Sequence, residues 1–164
     1  MHGSVLQVNV SAGGVPKRSI PGGRVTSLGL VGDGHTHPEI HGGPRKALLL
    51  ITSEGIEELK QQGFPLYPGA LGENLTTAGM DRKTFRVGQR YRVGEILIEI
   101  TKVRSPCDTL SVYGKGIQGA VYDREVKAGN SASPLWGLSG FYASVLHPGS
   151  VQPGDPILLL DEIA

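Results

Sequence analysis

The sequence predicts a mainly β domain, a barrel of short strands with two or three short helices, and three observations lead there. Glycine supplies 25 of the 164 residues, roughly twice its usual share, which calls for many tight turns. Short apolar or alternating runs recur between those turns, with no linker, repeat or low-complexity segment among them. At 164 residues the chain has the size of one domain, residues 1–164, able to bury a single core without metal or disulfide support. The same composition does not lead one to expect an all-helical fold.

Leu6 to Val10 alternates apolar and polar residues, the period of a half-buried strand, and Gly13-Gly14 ends it. A second segment begins at Val15-Pro16-Lys17. Arg24 to Val31, with Val25, Leu28 and Leu30, reads as a strand that stops at the turn Gly32-Asp33-Gly34. Ala47 to Ile51 is a continuous apolar run of buried-strand length. Ser53 then caps a helix that ends by Gly63. Its Ile56 and Leu59 face the core, and Glu54, Glu57 and Glu58 form a solvated face that suits the dipole.

After a Pro-bounded loop, Leu71 to Thr77 places Glu73 beside Asn74. The pair suits either the polar atoms of a ligand or a turn in which Asn74 bonds its own backbone. Phe85 to Val93 holds a turn signal, Val87 to Arg90, between two strand-like pieces. From Glu95 to Val103, Ile96, Ile98 and Ile100 alternate with Leu97, Glu99 and Thr101, which makes this the clearest strand in the chain. Ala120 to Val126 suits a strand or a short helix. Gly140 to Leu146 reads as a strand, Pro148-Gly149 as a turn, and Pro156 to Leu160 as the last strand.

Composition narrows the function. One cysteine excludes an intrachain disulfide, no stretch reaches the roughly 18 apolar residues of a membrane span, and the N-terminus lacks a signal-like apolar run. These features predict a cytoplasmic protein. Formal net charge is +1, from 16 basic and 15 acidic residues, so the overall balance calls for neither nucleic acid nor membrane as partner. Any electrostatic site is local.

Two stretches carry candidate chemistry. In Lys102 to Asp108 the clearest strand gives way to Ser105, a residue that favours the N-cap, followed by Pro106 at the first helical position. Asp108 stands three places after Ser105, as in a capping box, and Gly114 offers a terminator, so Pro106 to Tyr113 reads as a two-turn helix. Cys107 then falls in its first turn, where free N–H groups, the helix dipole and nearby Arg104 favour a thiolate. The competing reading is a small buried apolar residue.

The second stretch runs from Asp33 to Lys46. His35, His37, His41 and Asp33 are residue types that bind zinc, although Pro38 and two glycines leave their geometry unspecified. His41-Gly42-Gly43-Pro44-Arg45-Lys46 combines bare backbone with two cations and suits an oxyanion such as phosphate. A plain surface loop is the third reading.

Gly32-Asp33 with His41-Gly42-Gly43 and the basic pair, Gly72-Glu73-Asn74-Leu75, Arg104-Ser105-Pro106-Cys107, and the closing Gly140 to Leu146 with Gly149 and Gly154-Asp155 together resemble the MOSC domain. That family is named for the C-terminal part of molybdenum cofactor sulfurases, and the resemblance runs over nearly the whole chain. It implies a mainly β MOSC-type barrel that binds the molybdenum cofactor, a pterin with a phosphate and a dithiolene-bound metal. It further implies that Cys107 is the molybdenum ligand or a sulfur carrier. Arg104, Arg45 and Lys46 would meet the cofactor's anionic groups, Glu73, Asn74 and Thr76 its polar edge, and His41-Gly42-Gly43 would shape the pocket loop.

The chain has no room for the pyridoxal phosphate-dependent desulfurase domain of the sulfurases, and no lysine sits in a Schiff-base context, so sulfurase activity and pyridoxal phosphate are not expected. Three functions follow. The first is a molybdenum cofactor-dependent oxidoreductase that reduces small N-hydroxylated or N-oxide compounds. The second is a persulfide or cofactor carrier acting with a desulfurase or an electron-transfer protein. The third is a zinc hydrolase built on His35, His37 and His41.

Overall fold

The computed structural model describes residues 2–34 and 43–160. Its strands are β1 (His2–Val10), β2 (Arg18–Ile20), β3 (Gly23–Thr26), β4 (Gly29–Leu30), β5 (Leu48–Thr52), β6 (Leu75–Ala78), β7 (Arg90–Val93), β8 (Ile96–Val103), β9 (Phe141–His147), β10 (Gly149–Val151) and β11 (Pro156–Leu159). Three α-helices, α1 (Ser53–Gln61), α2 (Ile117–Val121) and α3 (Arg124–Lys127), and three short 3-10 helices complete it. Seven strands, in the order β11-β7-β8-β9-β5-β6-β1, close into a barrel because β1 also pairs with β11, His2 opposite Leu158. The expected mainly β barrel is therefore the observed one.

β1 can serve three partners because it is nine residues long. Its start pairs with β11 and its end with β2, while its other edge runs along β6. A register shift between Val5 and Gln7 turns Leu6 out to 45% exposure, which interrupts the alternation read from the sequence. β5 and β6 are parallel neighbours, so the chain needs a crossover between them, and α1 provides it. Thr52, not Ser53, caps α1, its hydroxyl accepting from Gly55 N. The acids of α1 are partly engaged as well: Glu58 accepts from Arg82 at 2.8 Å, and Glu54 from Gly79 N.

The barrel interior is filled by Ile96, Ile98 and Ile100 of β8 with Tyr91, Phe85 and Phe141, all at most 2% exposed. A second core lies outside the barrel, where Ile56 and Leu59 of α1 meet Leu66, Leu71, Leu110, Ile117 and Val121. That core positions the candidate site, because Leu110 anchors the segment just after Cys107. Burying such a side chain fully contributes about 2 kcal/mol.

Three elements differ from the sequence reading, and at Ala120 to Val126 the short-helix alternative holds in divided form. Arg24 to Val31 splits into the hairpin β3–β4, which pairs through β10, where only a turn was read at Gly149. The first strand-like piece of Phe85 to Val93 is irregular, with the Gln89 carboxamide accepting from Arg86 N inside the turn. Ala120 to Val126 divides between α2 and α3 because Asp123 stops one and caps the other, accepting from Val126 N at 2.8 Å. Lastly, Pro106 to Tyr113 is no α-helix. A 3-10 helix spans Asp108–Tyr113, Cys107 is its N-cap, and the Asp108 carboxylate accepts from Gln118 rather than closing a capping box.

Candidate functional site at the barrel mouth

β8 ends at Val103 and delivers Arg104 into the interior, where it is only 4% exposed. Its backbone is clamped first: Arg104 N donates to Gly140 O at 2.9 Å, and the Ser139 hydroxyl donates to Arg104 O at 2.6 Å. The guanidinium then donates through Nη1 to Leu71 O at 2.7 Å and Ser139 O at 3.4 Å, while its buried Nε has no hydrogen-bond partner. A buried donor left in this state favours a negative group close by.

Three residues further on, Cys107 is half-buried, with its Sγ 2.7 Å from the Thr109 hydroxyl. As the cap of a 3-10 helix it lies at the edge of the turn instead of inside a helical first turn, so the dipole argument loses most of its reach. What the site supplies in its place is side-chain charge. Tyr142 of β9, opposite Lys102 of β8, lies close enough to Cys107 and Arg104 to sense both. Burial above all, and then Cys107, push its phenol's pKa up, while the Arg104 guanidinium opposes the rise. Lys46 places its ammonium 5.2 Å from the centre of the Tyr142 ring, a cation–π distance. Burial, and secondarily the Lys102 charge, lower the Lys46 pKa, a field that a bound anion would relieve.

Arg45 is exposed and contributes its carbonyl, which accepts from the Thr101 hydroxyl. Gly43 adopts φ +84 at the start of the 3-10 helix Pro44–Lys46, a backbone that other residues rarely take. His35, His37, His41 and Gly42 lie outside the described residues. Among the described residues, no group of three or more His, Cys, Asp or Glu side chains is arranged to hold a metal ion.

Beneath Arg104 lies a buried polar layer that the sequence places 65 residues apart. Glu73 is fully buried, and its Oε2 accepts from Gly69 N and the Thr76 hydroxyl, each at 2.8 Å, while Oε1 is unpartnered. Burial raises its pKa, opposed in part by those hydrogen bonds and by Arg104. Thr76 also accepts from Asn9 Nδ2 at 3.1 Å. Asn74 accepts from Leu49 N at 3.0 Å and donates to Asp33 at 2.7 Å. Asp33 in turn takes the Lys17 ammonium at 2.6 Å.

The observed hydrogen bonds of Glu73, Asn74 and Thr76 are thus internal, and they hold the loop at Asp33 and β1 onto β6. The turn reading of Asn74 does not hold, since its side chain bonds Leu49 N and Asp33, both distant in sequence, and not its own backbone. Asp33, read as a zinc candidate, is committed to Lys17, Ser11 N and Asn74. The structure brings Arg104, Cys107 and Lys46 around Tyr142. Sequence reasoning missed Tyr142 and Lys102; the register of β8 on β9 places them side by side, and no single-strand pattern carries that information.

A closed barrel with a half-buried thiol and a set of cations at its mouth defines a small domain suited to an anionic ligand that a sulfur atom can reach. The chain belongs to the MOSC domain family, whose model matches residues 37–158. It is 30% identical over 144 residues to protein YiiM of Escherichia coli (strain K12), an alignment covering 85% of this chain and 60% of that protein. It is also 29% identical to a protein named reductase from Gibberella moniliformis (strain M3125 / FGSC 7600), covering 97% of this chain and 29% of that one. The crystal structure of YiiM from Geobacillus stearothermophilus superposes with a TM-score of 0.73 at 23% identity, over 97% of this chain and 75% of that one, and so shares the fold. The chain spans less than two thirds of the length of either sequence relative.

MOSC domains bind the molybdenum cofactor. The residues at this barrel mouth fit that group by their chemistry: a sulfur donor for the metal, and Arg104 with an unpartnered buried Nε beside Lys46 and Lys102 for anionic oxygens. Among the described residues, no helix is long and apolar enough to cross a membrane.

Proposed function

We propose that this chain binds the molybdenum cofactor with Cys107 as the protein ligand to molybdenum, and that the loaded protein reduces small N-hydroxylated or N-oxide compounds. The observation that carries the reading is the placement of the sole thiol, half-buried on a clamped turn, beside Tyr142 and Arg104. The reductase name of one relative supports the reaction class.

When bound, the cofactor supplies two-electron chemistry at the metal. Arg104, Lys46 and Lys102 hold its anionic groups. The Thr109 hydroxyl steadies the sulfur, and Arg104 fixes Tyr142 at the pocket wall. Electrons come from a separate donor, an electron-transfer protein or a chemical reductant. The alternative is a carrier: the partial exposure of Cys107 leaves its sulfur within reach of a partner such as a desulfurase, which suits a persulfide or cofactor in transit.

Turnover separates the two readings. Cofactor-loaded protein supplied with a chemical reductant should consume an N-hydroxylated base, and Cys107→Ala should lower the rate at least about 100-fold, as expected when a group that orients the reacting centre is removed. Loaded wild-type protein that reduces no such compound would leave the carrier role, and equal rates in the two proteins would remove Cys107 from the chemistry.

A further inference from the structure

The segment bearing Cys107 is fastened to one loop at both of its ends. Before the cysteine, Arg104 Nη1 donates to Leu71 O at 2.7 Å. After it, at the last residue of the 3-10 helix, the Tyr113 hydroxyl donates to Ala70 O. The two acceptors are adjacent carbonyls. The same loop carries Gly69, whose N–H is held by the buried Glu73 and whose carbonyl accepts from Lys17 N at 2.8 Å. The loop also lies close against the Lys17 backbone, which only glycine allows: Gly69 has φ +94, and a Cβ there would lie 2.3 Å from Lys17 O.

A 3-10 helix of six residues is marginal by itself, because its hydrogen bonds are poorly aligned and its side chains eclipse. Only Leu110 of this helix is fully buried. Toward the C-terminal end, the Tyr113 hydroxyl is the side-chain tie that joins this helix to the 69–73 loop, supported by Phe64, whose ring would lie 3.2 Å from a Cβ at Gly114. Burial keeps the phenol protonated far above the usual range, with Tyr67 and Glu73 adding to the effect, so the donor is present at any working pH.

We infer that Tyr113 is a positioning residue for Cys107: by bonding Ala70 O it closes the turn against the 69–73 loop and sets where, and how openly, the thiol faces the barrel mouth. This rests on the reading that Cys107 is the working group of the site, and it assigns a role outside the motif that carries the cysteine. Deleting the hydroxyl leaves the Ala70 carbonyl without its side-chain donor and frees the turn to open.

The test needs no cofactor, because Cys107 is the only cysteine and its alkylation reports its own exposure. Tyr113→Phe should raise the rate of Cys107 alkylation by iodoacetamide about fivefold across pH 6–9, the equilibrium weight of one net hydrogen bond. Ser133→Ala is the comparison, since it deletes a hydroxyl that donates to Asp123 and accepts from Leu135 N, both remote in sequence from the Cys107 turn. It should lower stability to a similar degree and leave the alkylation rate at the wild-type value. An unchanged rate in Tyr113→Phe, or an equal rise in Ser133→Ala, would overturn the assignment. Metal content is measured separately, so loss of the cofactor reading would not imitate either result.

Discussion

Glu73→Ala is expected to lower the unfolding free energy by about 3 kcal/mol at pH 7, because it empties a fully buried site and leaves Gly69 N and the buried Thr76 hydroxyl without the acceptor they share. Glu73→Gln should cost about 1 kcal/mol. Its carbonyl can take both bonds now made by Oε2, and its amide would occupy the place of the unpartnered Oε1. The two variants also differ in pH dependence. Burial raises the Glu73 pKa above its ordinary 4.5, so the folded state binds more protons than the unfolded chain between that value and the higher folded one. Stability attributable to this group is then complete below pH 4.5 and falls as pH rises through the folded value. Urea unfolding of wild type and Glu73→Gln across pH 4–8 should show that decline flattened in the glutamine protein. Parallel curves would mean that the buried carboxyl titrates as it does in the unfolded chain.

The second large effect is expected at Asp33. Asp33→Ala removes the acceptor of the Lys17 ammonium, of Ser11 N and of the Asn74 amide in one step, at a site where the Lys17 and Asp33 side chains are 8% and 4% exposed. Stranding a buried cation and two donors costs about 3–5 kcal/mol. Lys17→Met in the same chain should recover part of that loss, because the stranded charge disappears. A double-mutant cycle should therefore return a coupling above about 1.5 kcal/mol. Strict additivity in thermal or urea unfolding would show that the pair contributes nothing beyond its separate contacts. Because Asp33 also holds Asn74, the variant should loosen the join between β1 and β6 on which the Glu73 layer rests.

The parts of the fold that were legible are those whose signal is local. β8 could be read because Ile96, Ile98 and Ile100 share one face and all lie in the core, and β5 because five consecutive residues are buried. α1 was found one residue late at its cap, since Thr52 and Ser53 are both good caps and only the backbone decides between them. The hairpin β3–β4 escaped because a two-residue strand has no period to detect. The turn at Cys107 carried correct punctuation, a serine, a proline and a terminal glycine. However, clamps at Arg104 and Leu110, supplied by residues far away in sequence, set its actual geometry.

The candidate site shows the same division. Cys107, Arg104 and Lys46 were chosen from residue type and motif, whereas Tyr142 and Lys102 entered only through the register of two strands. For Glu73, Asn74 and Thr76 the sequence indicated polarity without its direction. Their partners, Asn9, Asp33 and Leu49, lie on other elements, and the hydrogen bonds point into the barrel wall. Arg104 links the two layers, since its charge acts on Glu73 below and on Tyr142 above. A ligand that met Arg104 would thus be felt by the layer that joins β1 to β6.

If Cys107 holds molybdenum, the metal and pterin content of the protein purified from cells that synthesise the cofactor will report it. Wild-type protein should carry close to one molybdenum and one pterin per chain by elemental analysis and pterin fluorescence. Cys107→Ala should lose most of the metal while keeping the wild-type unfolding midpoint, since a half-buried thiol adds little to the core. Equal molybdenum in the two proteins would remove Cys107 as its ligand, and none in either would remove the cofactor from this chain.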